Sequence, residues 1–393
     1  MKKRVAILVG VPTPYRDPLF ERLARSPGYD IQALYCRDHQ PNQAWRLSQP
    51  RYPARYLRNL APTGWHGRLL IGGINPGVWR ELETFRPDAV VVYGYNTATA
   101  FLAILWATRR HTPVLMRTDS NLLDEDRKPP SLLAFKRLFL RWLVRRVGGF
   151  LSVGTSNSQY WRRYGAMPEK IFLARYAVDN DYFGGQAAHY RACREQVREE
   201  NGWGQRYLLL YVGRLTPVKG VDVLIEAVRR ISETRPDIGL LIVGQGPERQ
   251  ALEKRAKGLP QIFFLGFRDW GDLPRFYAAA DLFVLPSRRE PWGLVVNEAM
   301  ASGLPVIATQ KVGAAQDLII EGQSGYLVPV NDAEAMAVTI DRACQSVERL
   351  RAMGELAQQL IASWNYDATL EGIYQALSHC LGGDALQAVG SRL

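Results

Sequence analysis

The stretch REPWGLVVNEAMASGLPVIAT, residues 289–309, sets Glu290 in a Pro-Trp-Gly turn and Glu298 inside what reads as a helix. Leu282–Leu285 reads as a buried strand, 286–292 as a loop and Gly293 onward as a helix. That order leaves the amides of Trp292, Gly293 and Leu294 at a helix N-terminus, where unpaired N–H groups and the helix dipole bind anions. Glu290 then sits in the loop and Glu298 on the second helical turn, so the two carboxylates suit two contacts on one extended ligand. A paired general acid and base is the other arrangement open to them.

Other turns carry compatible chemistry. YVGRLTPVKGVDVLIEAV, 211–228, leaves a strand through Gly213 and places Arg214 and Lys219 on the loop before the next helix. Two cations there suit a diphosphate; a solvated basic loop has the same spacing. IVGQGPERQAL, 242–252, follows another strand with Gly244 and opens a helix at Pro247. In the first half, the loop GVPTPYRDP, 10–18, keeps Gly10 and reads Asp17 as a helix N-cap with Pro18 at the first helical position. Tyr15 and Arg16 are thereby directed toward a cleft. VLMRTDSN, 114–121, places Arg117 and Asp119 at a strand end, with Asp119 equally suited to a role in the site or to a structural one, as a helix cap or in an ion pair with Arg117. Two Asp-x-Asp triplets, DED at 124–126 and DND at 179–181, suit either a divalent cation with a diphosphate or solvated surface.

These residues need elements to hold them. A chain of 393 residues exceeds the roughly 250–300 at which single cores stop growing and predicts two domains. Strands are expected at 4–9, 31–35, 89–93, 113–116 and 150–153, then at 207–212, 239–243, 262–265, 282–285 and 305–308, with helical stretches between. This is the alternation of doubly wound parallel α/β sheets, whose ligands bind at the carboxyl ends of the strands, in a cleft between the two domains. The polar, glycine-punctuated stretch 183–204 marks the boundary. The expected division is 1–185, a linker at 186–205, and a second domain at 206–363.

Charge is unevenly placed. Residues 1–185 hold 28 Lys and Arg against 14 Asp and Glu, and the remainder holds 22 against 24. A basic first half implies an anionic partner, be it a membrane surface, a phosphorylated acceptor or nucleic acid. No helix-turn-helix, RNP or zinc-finger pattern accompanies the charge, which turns the reading away from nucleic acid. Within 131–147, Leu132, Phe135, Phe139, Trp142 and Leu143 fall along one side of a predicted helix, and Arg137, Arg141 and Arg145 along another. Such a basic amphipathic helix either packs on its own sheet or lies on an anionic membrane. The N-terminal apolar run reads as a strand rather than a leader, no segment reaches the ~20 apolar residues of a spanning helix, and the four cysteines are scattered. A reducing cytoplasm is expected, with attachment to the inner face of the cell membrane as the extension of that reading.

The run GRLTPVKGVDVLIEAV, LLIVGQGPERQAL, IFFLGF, FYAAADLFVLPSRREPWGLVVNEAMASGLPVIAT and SGYLV resembles the donor-binding domain of the retaining glycosyltransferases of family 4, which have the GT-B fold of two facing Rossmann-like domains. The resemblance implies that Glu298 holds ribose hydroxyls, Glu290 the transferred sugar, Arg214 and Lys219 the diphosphate, and the backbone at Phe267 and Arg268 the base. It implies a UDP- or GDP-linked sugar as donor, a saccharide, lipid-linked or small-molecule acceptor hydroxyl, no metal, and a helix within 364–393 that crosses back to the N-terminal domain. Retention is inherited in the same way, with a same-face displacement assisted by the leaving phosphate, or a double displacement through Glu290 or Asp119. The N-terminal half departs from the family pattern. A single Gly10 stands where relatives commonly have a glycine pair, and Asp119 stands near the position where many have a histidine.

Overall fold

The computed structural model describes residues 2–38, 49–61, 73–123 and 129–382. The chain divides into two compact units, Met1–Arg175 with Tyr366–Leu393, and Tyr176–Asn365.

The first unit is built on β1 (Lys3–Val9), β2 (Tyr29–Tyr35), β3 (Ala54–Tyr56), β4 (Ala89–Tyr93), β5 (Val114–Thr118), β6 (Gly149–Ser152) and β7 (Ile171–Leu173). They form one sheet in the order β3-β2-β1-β4-β5-β6-β7, and every pair is parallel. The second unit contains β8 (Tyr207–Val212), β9 (Ile238–Val243), β10 (Ile262–Gly266), β11 (Leu282–Leu285), β12 (Val306–Thr309) and β13 (Gly325–Val328), ordered β10-β9-β8-β11-β12-β13 and again all parallel. Central strands such as β8 and β9 are buried along their whole length, as unbroken apolar runs covered by helices on both faces must be. Each expected strand is present within a few residues. Sequence reasoning missed β3, β7 and β13, which are only three or four residues long. Strand order reverses between β1 and β4 and between β8 and β11, and the loops leaving those strands meet at a switch point in each sheet.

The linker expected at 186–205 is instead helical and belongs to the second unit, as Asn180–Arg191 and Arg194–Glu200. Phe183, Ala187 and Val197 are buried, and so is Arg198, which pairs with Asp281. The glycine punctuation has a packing cause: a Cβ on Gly184 would stand 3.2 Å from the Ala301 carbonyl, so the glycine lets two helices approach closely. Asp179 of the DND triplet caps this helix, accepting from the Tyr182 amide at 3.0 Å. The DED triplet lies outside the described residues, among which no group of three or more His, Cys, Asp and Glu could hold a metal ion.

The helix Tyr366–Leu381 belongs to the first unit, where Tyr374 stacks on Tyr29 and Gly372 lies so close to Leu173 that a Cβ would meet its carbonyl at 2.2 Å. The basic amphipathic helix is Pro130–Val144. Leu140, Leu143 and Val144 bury into the core of this unit, and Phe139 and Trp142 pack against it. Leu132 and Phe135, expected on that inner side, are 47% and 61% exposed, and Leu138 is 72% exposed. The apolar stripe is too wide for one helix face to bury. Among the described residues no helix is long and apolar enough to cross a membrane.

Candidate active site

The second unit's switch point gathers most of the candidate residues. Lys219 ends a short turn, Pro217–Lys219, in the loop after β8, and Glu290 lies in the loop after β11. Three features lock these loops together. Gly220 has φ 67° and packs so tightly under the neighbouring loop that a Cβ would lie 2.2 Å from the Pro286 carbonyl. The Arg288 amide donates to the Val218 carbonyl at 2.8 Å. The Arg288 guanidinium grips both carboxylate oxygens of Asp222, at 2.8 and 2.7 Å, in the planar fork geometry that arginine provides. Lys219 Nζ consequently meets the Glu290 carboxylate in an ion pair, with side chains 22% and 13% exposed. Glu290 is held from its other side by backbone bonds to Lys311 and Gly313, at 3.0 Å each.

Arg214, in the same loop as Lys219, is exposed, and no hydrogen bond or ion pair engages its guanidinium among the described residues. The helix Leu294–Ala301 begins after Gly293, which has φ 97°. The amides of Trp292, Gly293 and Leu294 donate to no backbone carbonyl among the described residues, and they stand at that helix's positive end. The Trp292 indole is structural: it is 3% exposed, donates to Asn297 Oδ1 at 3.0 Å and stacks on Trp364 at 5.1 Å. Its amide is the part offered to a ligand.

Glu298 is buried, and Tyr277 donates to its Oε2 at 2.8 Å. Desolvation raises its carboxyl to about 7, against the opposing effect of the Tyr277 hydrogen bond. Burial and then the Glu298 charge push Tyr277 well above its ordinary value, so it remains a donor. Tyr211 is similarly raised by burial and then by Glu290, and donates to the Arg214 carbonyl at 3.0 Å. Sequence reasoning missed both tyrosines. They sit in apolar runs that read as core, and Tyr277 reaches its carboxylate across 21 positions of chain.

The glycine turns serve packing first. A Cβ on Gly244 would lie 1.8 Å from the Gly213 carbonyl, and one on Gly246 2.1 Å from that of Leu215. The Gly244 amide donates to the Gly266 carbonyl at 2.8 Å, which brings the segment at Phe267 and Arg268 to the same edge of the sheet. Arg268 itself is exposed and lies over the Phe276 ring at 5.6 Å.

In the first unit, the helix Asp17–Ala24 begins one residue earlier than expected. Arg16 is the cap position, and Asp17 is the first helical residue, with Tyr52 donating to its Oδ1 at 2.6 Å. Arg16 lies half-buried over the rings of Tyr15 and Tyr93, at 5.3 and 5.2 Å, while Arg117 approaches Tyr93 at 5.8 Å from β5. Arg117 is buried and donates to the Ala174 carbonyl at 2.8 Å, whereas Asp119 is exposed. Gly10 is exposed, and a Cβ there would meet open space. The carboxyl ends of β1, β4 and β5 thus collect two cations around one phenol.

Known proteins share this arrangement of sheets and loops. Residues 194–360 match the family described as glycosyl transferases group 1, and residues 12–177 the glycosyl transferase 4-like domain. The sulfoquinovosyl transferase SQD2 of Arabidopsis thaliana is 31% identical over 388 residues, covering 93% of this chain and 71% of the plant protein. A GDP-mannose-dependent alpha-(1-6)-phosphatidylinositol monomannoside mannosyltransferase of Mycolicibacterium smegmatis is 30% identical over 235 residues, 54% of this chain and 58% of that protein. Among solved structures, Alr3699/HepE of Anabaena in complex with UDP-glucose aligns with a TM-score of 0.72 at 19% identity, covering 95% of this chain and 99% of the other. The chain belongs to the glycosyltransferases of the family 4 type and has the GT-B fold.

Proposed function

We propose that the protein transfers a sugar, with retention of anomeric configuration, from a UDP- or GDP-linked donor to the hydroxyl of a lipid-linked or other anionic acceptor. The observation that carries this reading is the Lys219–Glu290 ion pair, locked between two loops beside the exposed Arg214 and the start of the helix Leu294–Ala301. Cleaving a sugar–phosphate bond builds negative charge on the departing nucleoside diphosphate. Fixed cations and amides are worth most where that charge develops. Arg214, Lys219 and the amides of Gly293 and Leu294 take the diphosphate, and Glu290 the sugar hydroxyls. Glu298 accepts from the ribose, and the backbone at Gly244, Phe267 and Arg268 lies against the nucleoside.

Glu290 is tied to Lys219, which blunts it as a nucleophile and favours a same-face displacement assisted by the leaving phosphate. Two cations supply the charge neutralisation that a divalent metal provides elsewhere, so the reaction proceeds without one. The acceptor lies on the first unit, near Gly10, Tyr15, Arg16, Arg117 and Asp119. Both UDP and GDP are retained as donor nucleotides because the HepE structure holds UDP-glucose and the mycobacterial relative is GDP-mannose-dependent. That relative's phosphatidylinositol-linked acceptor also favours a lipid, as does the helix Pro130–Val144. Leu138 and Phe135 are exposed there among Arg137, Arg141 and Arg145, and anionic lipid attracts each such arginine by ~1 kcal/mol. The enzyme then works at the inner face of the cell membrane. Hydrolysis of a panel of nucleotide sugars without acceptor, with the released anomer followed by proton NMR, tests the core of the reading. Release of the donor's own anomer before mutarotation is expected; initial release of the opposite anomer refutes retention, and no hydrolysis or binding of any nucleotide sugar refutes the donor site.

A further inference from the structure

The opposite edge of the second unit's sheet holds a second cluster of cations. Ala280 and Asp281 immediately precede β11, and Gly303 and Leu304 lie one residue before β12, so a cavity lined by them lies at the amino ends of the strands. The candidate donor residues follow the carboxyl ends. This cavity, of about 190 Å³, is also lined by Arg191, Arg194, Arg351 and Glu355.

The charges there do not balance. Asp281 is shared, Arg194 taking one carboxylate oxygen and Arg198 the other, and its Oδ2 also accepts from the Leu208 amide at 2.7 Å. One carboxylate is thus spread over two guanidiniums. Arg191 donates to the carbonyls of Ser302 and Gly303, which complete no ion pair. Arg351, at the start of the second turn of the helix Val347–Ile361, has no hydrogen bond or ion pair among the described residues. Desolvation, then the charge of Arg194, hold Arg191 below its ordinary value, and Arg351 adds to the effect. Arg194 also carries a buried Nε with no hydrogen-bond partner among the described residues. An orphaned, charged donor in a native fold calls for a ligand or ordered solvent. Three guanidiniums, those of Arg191, Arg194 and Arg351, therefore line the cavity beside the carboxylates of Asp281 and Glu355, and Asp281 is already shared between Arg194 and Arg198.

We infer that this cavity binds a phosphate group, either inorganic phosphate or the phosphate of a small monoester. Guanidinium forks match the oxygens of a tetrahedral anion bidentately, and a phosphate, which carries about −1.5 to −2 at pH 7, meets Arg191 and Arg351, neither of which has a carboxylate within ion-pair distance among the described residues. The size of the cavity suits a compact anion. Asp281 leads directly into β11, and Arg191 holds the carboxyl end of the helix that carries Glu298. The site is therefore in mechanical contact with both elements of the candidate active site while sharing no residue with it.

Calorimetric titration of the Lys219→Ala protein, whose candidate donor site has lost one of its two cations, tests the inference with inorganic phosphate and with glycerol phosphate as separate arms at constant ionic strength, the arginine variants below telling this cavity from the donor site. One phosphate should bind per chain, and the tighter arm identifies the free ion or the ester as the preferred source. Adding Arg351→Gln should weaken binding by about tenfold or more, the worth of one charge-assisted contact. Arg351→Lys should recover part of that loss. Arg351 is exposed, and matching melting curves without phosphate verify that each variant is folded. Absence of binding in Lys219→Ala, or an affinity unchanged by Arg351→Gln, overturns the inference. Neither result touches the reading of the donor site, since Lys219 is absent throughout.

Discussion

Glu298 is set to make nucleotide binding depend on pH. Its carboxyl is buried against Tyr277 and raised to about 7, where an ordinary glutamate ionises at 4.5. Ribose hydroxyls are donors, and only the ionised carboxylate accepts from both without a proton of its own in the way. About one-tenth of the free protein is therefore competent at pH 6 and about nine-tenths at pH 8, so affinity should rise about tenfold across that interval and level off above it. The Glu298→Gln variant keeps the shape and lacks the titration. Its affinity should follow only the nucleotide's own phosphate ionisation, so the ratio of parent to variant isolates the carboxylate.

Stability moves in the opposite direction. The folded value lies above the unfolded one, so the contribution is fully present below about 4.5 and is lost as pH rises through about 7. A shift of this size amounts to about 3 kcal/mol. Urea melts at about pH 8 should consequently find Glu298→Gln more stable than the parent, with the difference vanishing near pH 4.5. Fluorescence titration with UDP and GDP between those limits supplies the binding half. A parent-to-variant affinity ratio that stays flat from about pH 6 to 8 refutes the reasoning, whichever nucleotide binds.

Lys219→Ala or Arg214→Ala should lower turnover by about 10²–10³, the loss expected on removing one donor to a developing anion, and steady-state kinetics with parent-like values would remove the diphosphate role. Activity should survive exhaustive EDTA treatment; abolition by EDTA with rescue by manganese would return the Asp-x-Asp triplets to the centre of the chemistry. Gly220→Ala forces a Cβ against the Pro286 carbonyl in a left-handed backbone and should cost about 1–3 kcal/mol in urea melts while weakening nucleotide binding. Co-sedimentation with vesicles should rise with anionic lipid, fall with salt, and drop for a Phe135→Ser and Leu138→Ser double variant; negligible binding to anionic vesicles at low salt would move the acceptor into solution.

The amino-acid sequence alone determined the architecture and the cast of the donor side. Unbroken apolar runs such as YLLLYV and LFVL can only be strands covered on both faces, and their alternation with helical stretches dictates parallel sheets. Arg214, Lys219 and Glu290 stood out because charged residues beside glycine turns have no core-packing role to disguise them, and Glu298 because a carboxylate inside a largely apolar helix has no bland role there. The tertiary structure decided what each of them touches. Lys219 and Glu290 are 71 positions apart, and only the reversal of strand order between β8 and β11 brings their loops together. Tyr277 became the partner of Glu298 through packing alone, since a tyrosine in an apolar run looks the same whether or not a carboxylate waits opposite it.

The boundary at 186–205 and the wide apolar stripe at 131–147 eluded sequence reasoning for a related cause. Gly184 reads as a breaker until a second helix approaches it, and Leu132 and Phe135 read as core although the helix buries Leu140, Leu143 and Val144 and leaves them exposed. Periodicity tells which residues share a face. How much of that face is buried depends on the neighbour, and the neighbour is chosen by the whole fold.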